Sequence, residues 1–230
     1  MKVNEPGLRF YVDRIRKAEP FSFVRYGNGE WDCILKLYPR TRSGSQRFTP
    51  ALRKALIRSL VQKRSGAYYP AIQSTGYLKR LKLLPKLETW LAENSPGLTW
   101  HGGEVFTRAS RKGKLFPLIE AMKQRRVVVV GPPWLMKLPF ANVFIPVAKR
   151  HCWAQVDEIE AQLRGVRNCV ISFSAGPAAK ALIHRLQPSL GTHSWLIDFG
   201  SLWDPFCGVK SRTYHRRLTP ALLRLNLRGK

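Results

Sequence analysis

The stretch RRVVVVGPPW places four consecutive valines, Val127 to Val130, ahead of Gly131, Pro132 and Pro133. An unbroken β-branched run has no polar side to turn to water, so as a strand it must be buried on both faces, and the glycine and prolines end it abruptly. A strand of that kind belongs to a parallel sheet covered by helices on both sides. The rest of the chain supplies both parts. Phe21 to Tyr26, Cys169 to Phe173, and Trp195 to Asp198 read as three further strands. Helical spacing recurs at Leu8, Tyr11, Val12 and Ile15, and at Leu52, Ala55, Leu56 and Leu60 behind a Thr49 cap and Pro50. Two more helices follow, CWAQVDEIEAQLRG with Gly165 as its stop and a segment from about Ala178 to Leu186. Thr-Pro-Ala-Leu recurs at Thr219 to Leu222, which is shared capping chemistry and not an internal repeat. The expected fold is α/β, a single domain built on a mostly parallel sheet with flanking helices.

Open parallel sheets bind ligands beyond the carboxyl ends of their strands. All four expected strands leave through glycine: Gly27-Asn28-Gly29-Glu30, Gly131-Pro132-Pro133, Ser174-Ala175-Gly176-Pro177 and Asp198-Phe199-Gly200-Ser201. Glycine lets the backbone approach a ligand closely, and the helix starts that follow offer unpaired N–H groups, so these turns together suit a phosphate or diphosphate. Neither the dinucleotide fingerprint nor a Walker sequence is present.

Acidic residues are scarce, 14 against 40 Lys and Arg, so their placement carries information. Glu30, Asp32, Asp198 and Asp204 all fall at or just after strand exits, where converging carboxylates could hold a divalent cation. Glu30 and Asp32 diverge if a helix has begun, so at most one of them points inward. Asp32 reads equally as a first-turn acid, Asp198 as a cap and Asp204 as the partner of an arginine. Arg25, inside a buried strand, needs an anion, either a ligand phosphate or one of these carboxylates. The five histidines show no metal spacing. His101 stands out because TWHGGEVFTRAS joins it to Glu104 and Arg108 in what reads as one polar loop. Cys33, Cys152, Cys169 and Cys207 form no C-x-x-C pair and read as reduced core thiols.

The formal net charge of +26 is uneven: thirteen basic residues and no acid lie between Cys33 and Leu87, and seven basic residues follow Asp204. Such an excess points to a polyanionic partner, nucleic acid first and an anionic membrane surface or polymer second, with Tyr68, Tyr69 and Tyr77 available to stack on bases. No apolar run is long enough to cross a bilayer, and the amino-terminal segment has no apolar h-region, so the expected location is the cytoplasm of a bacterium or a phage-infected host.

The stretch FSFVRYGNGEWDCIL resembles the opening motif of bacterial and phage glycosyltransferases of the GT-D type, in which a strand ending in Arg-Phe/Tyr-Gly-Asp-Gly-Glu supplies an Asp-x-Glu pair. The similarity continues through EVFTRAS, VVVVGPPWL, CVISFSAGPAAKALIHRL and WLIDFGSLWD, in the family's order, from Phe21 to Asp204. The resemblance implies a Rossmann-like, GT-D-like domain over 1–204 followed by a basic tail or helix over 205–230. It also implies a nucleotide-sugar donor, Mn or Mg, and transfer to a hydroxyl. Glu30 matches the family's Glu and is the expected catalytic or metal-linked carboxylate, with Asp198 the second catalytic candidate. Asn28 stands where the family has Asp and brings no charge. Arg25, Gly27, Asn28, Gly29, Asp32, Arg108, Gly131, Ser174, Ala175 and Gly176 are the expected substrate-binding residues. The charge suggests a hydroxylated base in DNA as acceptor. The alternatives are a cell-surface or lipid-linked acceptor, and a non-catalytic nucleic-acid-binding relative.

Overall fold

A computed structural model describes residues 1–37, 46–62 and 66–229. Eight strands form one sheet: β1 (Lys2–Asn4), β2 (Ser22–Tyr26), β3 (Tyr68–Ile72), β4 (Thr99–Gly102), β5 (Arg126–Gly131), β6 (Val143–Pro146), β7 (Cys169–Phe173) and β8 (Trp195–Asp198). Their order is β1-β4-β3-β2-β8-β7-β5-β6, and every pair is parallel. The expected mostly parallel sheet is thus parallel throughout.

Four strands escape the sequence pattern. β1, β4 and β6 have only three or four residues, too few to show a period, and β3 carries Pro70, which usually argues against a strand. The TWHGG stretch read as a polar loop is β4 running toward a helix. His101 sits on that strand, where Nδ1 meets the Tyr11 hydroxyl at 2.7 Å and the ring stacks on Tyr69 at 4.4 Å. Burial lowers its pKa, so it is a neutral packing residue.

The valine strand explains the layering. Val128 and Val130 face one core and Val127 and Val129 the other, as alternate residues of a pleated strand must. On the first side lie α2 (Asn28–Ile34), α3 (Pro50–Val61), α4 (Thr75–Arg80), α5 (Leu84–Asn94), α8 (Val156–Leu163) and α9 (Pro177–Leu190). On the second lie α1 (Leu8–Arg16), α6 (Val105–Arg111) and α7 (Phe116–Lys123). Each Thr-Pro-Ala-Leu caps as expected: Thr49 accepts from Leu52 N–H at 3.1 Å, and Thr219 from Leu222 N–H at 3.3 Å.

The basic carboxyl-terminal segment is docked on the sheet domain. Its helix α10 (Pro220–Arg228) presents the buried Asn226, whose Oδ1 accepts from Leu115 N–H while Nδ2 donates to Ser110 C=O, both at 2.9 Å. Among the described residues no helix is long and apolar enough to cross a membrane.

β2 and β8 pair at the centre of the sheet. The chain leaves β2 toward β3 and β4 on one side, and returns to β8 through β7 from the other. The carboxyl ends of β2 and β8 are therefore the topological switch point, where an open parallel sheet leaves a crevice.

Candidate active site

The two central strands each deliver one carboxylate to that crevice. β2 ends at Tyr26 and turns through Gly27 into α2, whose third residue is Glu30; β8 ends on Asp198 itself. Between them projects Lys180 from the first turn of α9. Its ammonium lies 2.9 Å from Glu30 Oε1 and 2.8 Å from Asp198 Oδ2, and donates to Gly176 C=O at 3.1 Å. The other carboxylate oxygens are engaged as well. Gly27 N–H donates to Glu30 Oε2 at 2.8 Å, and Gly200 N–H to Asp198 Oδ1 at 3.0 Å.

All three side chains are buried, with residue exposures of 7% for Glu30, 2% for Lys180 and 0% for Asp198. Burial alone pushes the Glu30 carboxyl up, but Lys180, the Gly27 N–H and Arg25 outweigh it, and the group is held below the usual carboxylate range. Burial likewise favours the neutral amine of Lys180, but Asp198 and Glu30 overcome it against the opposing Arg25, and its pKa is raised. Glu30 is thus held as a carboxylate and Lys180 as an ammonium. Of the two carboxylates, Glu30 is the one that retains any exposed surface.

Arg25 approaches from the opposite side of β2. Gly103 and Gly200 make room for it: a Cβ on Gly103 would stand 3.2 Å from Arg25 Cγ, and one on Gly200 would collide with the guanidinium. Gly200 also has φ +57, in the left-handed region that favours glycine. Arg25 Nε is buried and has no hydrogen-bond partner among the described residues. Two more side-chain atoms on this edge share that condition: Gln73 Oε1, one residue past β3, and Ser174 Oγ, one residue past β7. With Asp198 and Gly200 at the end of β8, the adjacent strands β3, β2, β8 and β7 form one continuous polar ledge.

Two cavities meet this region. The smaller, about 250 Å³, lies at the ends of β3 and β4 and is lined by Gln73, Ser74, Gly103, Glu104 and Arg108. Gln73 joins it to the cluster, because its amide lies 3.6–3.7 Å from where a Gly27 Cβ would be. The larger, about 850 Å³, runs beneath it between α1, α6, α7 and α10. Glu5, Gly102 and Arg108 border both, and Arg108 pairs with Glu5 at 3.0 Å. Through Gln73 and Gly103 the smaller cavity borders Gly27 and Arg25.

The expected residues divide accordingly. Arg25, Gly27, Glu30 and Asp198 come together, with Ser174, Ala175 and Gly176 on the adjoining turn. Asn28 and Gly29 open α2, and Arg108 stands at the border of both cavities. Gly176 has φ +54, a glycine conformation that turns the chain into α9. Gly131 has a packing reason of its own, because a Cβ there would stand 2.7 Å from Leu135 Cδ1. Asp32 is buried on α2 but is not one of the carboxylates that Lys180 bridges, since two helical residues are about 200° apart around the axis. Asp204 accepts from Trp134 Nε1 at 2.9 Å and from the Ser211 hydroxyl, with the Arg212 charge near enough to act on its carboxyl, as its reading as the partner of an arginine expects. Tyr69 is stacked on His101, and the Tyr68 hydroxyl donates to Ser59 C=O at 3.3 Å. Cys33, Cys152 and Cys169 are free thiols in the core. Of the thirteen basic residues between Cys33 and Leu87, Arg40, Arg42, Lys63 and Arg64 lie outside the described residues.

Lys180 and Gln73 are the two members that sequence reasoning missed. Gln73 gives no signal. Lys180 does, because it interrupts Ala178-Ala179-Lys180-Ala181-Leu182-Ile183, a run with no polar side for it to share.

The residues were tested against the divalent ion that the resemblance implies. Among the described residues no group of three or more His, Cys, Asp or Glu side chains could hold a metal ion. The Glu30 and Asp198 oxygens that face each other already share the Lys180 ammonium. In this arrangement they do not fit a divalent cation.

No protein-family model and no curated protein matches the chain. Solved structures do. A glycosyltransferase of domain of unknown function 1792 (DUF1792) from Streptococcus sanguinis is 16% identical with a TM-score of 0.68, over 89% of this chain and 84% of that one. A DUF1792 domain described as having a distinct glycosyltransferase fold gives 16% and 0.63, over 90% and 80%. A further DUF1792 structure gives 16% and 0.67 over the same shares. The chain has the DUF1792, GT-D-type glycosyltransferase fold.

Proposed function

We propose that this protein is a glycosyltransferase that moves a sugar from a nucleoside-diphosphate sugar to a hydroxyl acceptor. The observation that carries the reading is the set of unpartnered buried atoms, Arg25 Nε, Gln73 Oε1 and Ser174 Oγ, beside the Glu30–Lys180–Asp198 cluster at the switch point of this fold. An unsatisfied buried polar group costs about 1–3 kcal/mol, so a bound molecule that met the three along this edge would gain from each. A guanidinium donor suits a diphosphate oxygen, and an amide oxygen and a hydroxyl suit the hydroxyls of a sugar.

In the transfer the acceptor oxygen attacks the anomeric carbon. The bond from that carbon to the diphosphate oxygen breaks, its electron pair leaves with the nucleoside diphosphate, and the acceptor's proton passes to a carboxylate. Glu30 is placed to take it, while the fully buried Asp198 positions Lys180 and the Gly200 turn. Arg25, Arg108 and the start of α9 supply positive potential to the leaving diphosphate. Gly27, Gly29, Ala175 and Gly176 let backbone approach it, and Asn28 offers an uncharged amide.

For the acceptor, the formal charge of +26 favours a polyanion, and DNA with a hydroxylated base offers both a phosphate backbone and a hydroxyl. The larger cleft favours a second acceptor class, a lipid-linked saccharide: Leu8, Val12 and Phe116 line it together with Arg16, Lys112 and Lys114, which matches an amphiphile with an anionic head.

A thermal-shift panel of nucleotide sugars, followed by transfer of labelled sugar to hydroxymethylated DNA and to polyprenyl-phosphate acceptors, tests the reading. One nucleoside diphosphate sugar should raise the melting temperature, and Glu30→Gln should keep that shift while lowering turnover about 10²–10⁴-fold. DNA binding without a shift from any nucleotide sugar would refute it and leave the non-catalytic alternative.

A further inference from the structure

We infer that Lys180 is a resident cation that takes the place of a divalent metal in this site. The inference deepens the glycosyltransferase reading by saying how the site handles charge, and it rests on geometry that metal binding alone can test.

Lys180 Nζ lies between Glu30 Oε1 and Asp198 Oδ2, at 2.9 and 2.8 Å. A divalent ion bound by the same two oxygens at about 2.0–2.6 Å would have to occupy the space the ammonium fills. The ammonium cannot withdraw cheaply. It is 2% exposed, its third donor is taken by Gly176 C=O, and it is carried on a helix that is buried along most of its length. The outer oxygens of both carboxylates are fixed by the N–H groups of Gly27 and Gly200, so neither can swing away to offer a metal a fresh pair.

The charges complete the argument. Glu30 and Asp198 carry two negative charges, and Lys180 and Arg25 carry the two positive charges that one divalent ion would bring. Asn28 fits the same balance. An aspartate there would add a third negative charge, which a divalent ion could absorb and a single ammonium could not. Lys180 holds the two carboxylates in place, and Arg25 Nε, which has no hydrogen-bond partner among the described residues, is left to meet the leaving diphosphate.

Mn²⁺ binding, followed by loss of the free-ion paramagnetic resonance signal, tests this without any turnover. Wild type should bind no Mn²⁺ at millimolar concentration. Lys180→Ala, which frees the two carboxylates, should bind Mn²⁺ at least about tenfold more tightly, and Lys180→Ala/Glu30→Gln should lose the gain. Lys180→Arg, which keeps the charge, should stay without Mn²⁺. Wild-type binding that Glu30→Gln abolishes would overturn the inference, as would a folded Lys180→Ala protein that gains no binding. Should Lys180→Ala fail to fold, the wild type decides: thermal shifts with UDP, GDP, ADP, CDP and dTDP should be equal in Mn²⁺ and in EDTA. A shift with any of them that requires Mn²⁺ would overturn it. A panel that gives no shift in either condition counts against the donor reading, and the resonance titration still decides on Lys180.

Discussion

Replacing Lys180 by Met removes one ammonium and keeps nearly the same volume, so the consequence is electrostatic. The ammonium attracts each carboxylate by on the order of 6 kcal/mol at separations of 2.8–2.9 Å in an effective dielectric of about 20, before desolvation is subtracted. Removing one partner of a buried pair costs about 3–5 kcal/mol net, because the remaining charges are left uncompensated. Here two are left, in residues 7% and 0% exposed. With a urea slope of about 3 kcal/mol/M, the loss should lower the unfolding midpoint by about 1–1.7 M near neutral pH. The pH dependence separates this cause from a packing defect. In wild type, Glu30 has a lowered pKa, so its contribution is present above the unfolded value near 4.3 and is lost as pH falls through the folded value. Lys180 has a raised pKa, so its contribution is complete below the unfolded value near 10.4 and is lost as pH rises through the folded one. Without the ammonium, two buried carboxylates face each other and one takes up a proton, so Lys180→Met should regain stability relative to wild type as pH falls from about 8 to about 5. Urea titrations of both proteins across that range give the difference directly. A deficit below about 1 kcal/mol, or one that does not change with pH, would refute the assignment of Lys180 as the charge that holds this site together.

Gly200→Ala should destabilise by about 1–3 kcal/mol, because φ is +57 and the new Cβ meets the Arg25 guanidinium; calorimetry reads the loss, and any nucleotide-sugar shift should disappear with it. Asn226→Ala leaves Leu115 N–H unpaired and removes one of the two donors to Ser110 C=O, Gly113 N–H remaining, and should cost about 1–2 kcal/mol, a fall in melting temperature of roughly 2–8 °C. Amide exchange in α10 should accelerate in the same variant, with the strands still protected. Burial, with help from Arg212, pushes the His215 imidazole down to about 4. The unfolded chain therefore binds a proton near 6.5 that the native state refuses until about 4, and stability on the order of 3 kcal/mol is lost as pH falls between those values. His215→Asn should flatten that part of the pH–stability curve; an unchanged acid limb would show that the ring titrates normally.

The sheet was legible wherever burial leaves a pattern. Val127 to Val130 gave the two-sided strand, and the glycine exits of β2, β5, β7 and β8 marked one edge of the sheet before any contact was known. The strands that were missed are those for which local pattern carries least. β1, β4 and β6 are too short to show a period, and β3 is held by β2 and β4 on either side in spite of Pro70. His101 misled because a polar residue near a glycine reads as part of a site, but it is satisfied by a group distant in sequence, Tyr11.

Lys180 shows what lies beyond local pattern. A lysine on a surface helix extends its ammonium into water along an apolar stem. That escape requires a polar face, and α9 has little of one at its start: Ala178, Ala179, Ala181, Leu182 and Ile183 are all buried. An ammonium held there must meet an anion inside the protein, and the sheet topology decides which anion it meets. Glu30 and Asp198 are far apart in sequence, and they converge only because β2 and β8 pair at the switch point. The sequence shows separately a lysine without a polar face, two acids at glycine exits and an amide at the position where the resemblance implies an aspartate. The pairing of β2 with β8 makes these one observation: an ammonium bridges the two carboxylates, and on our inference it stands where the third carboxylate and its metal would otherwise serve.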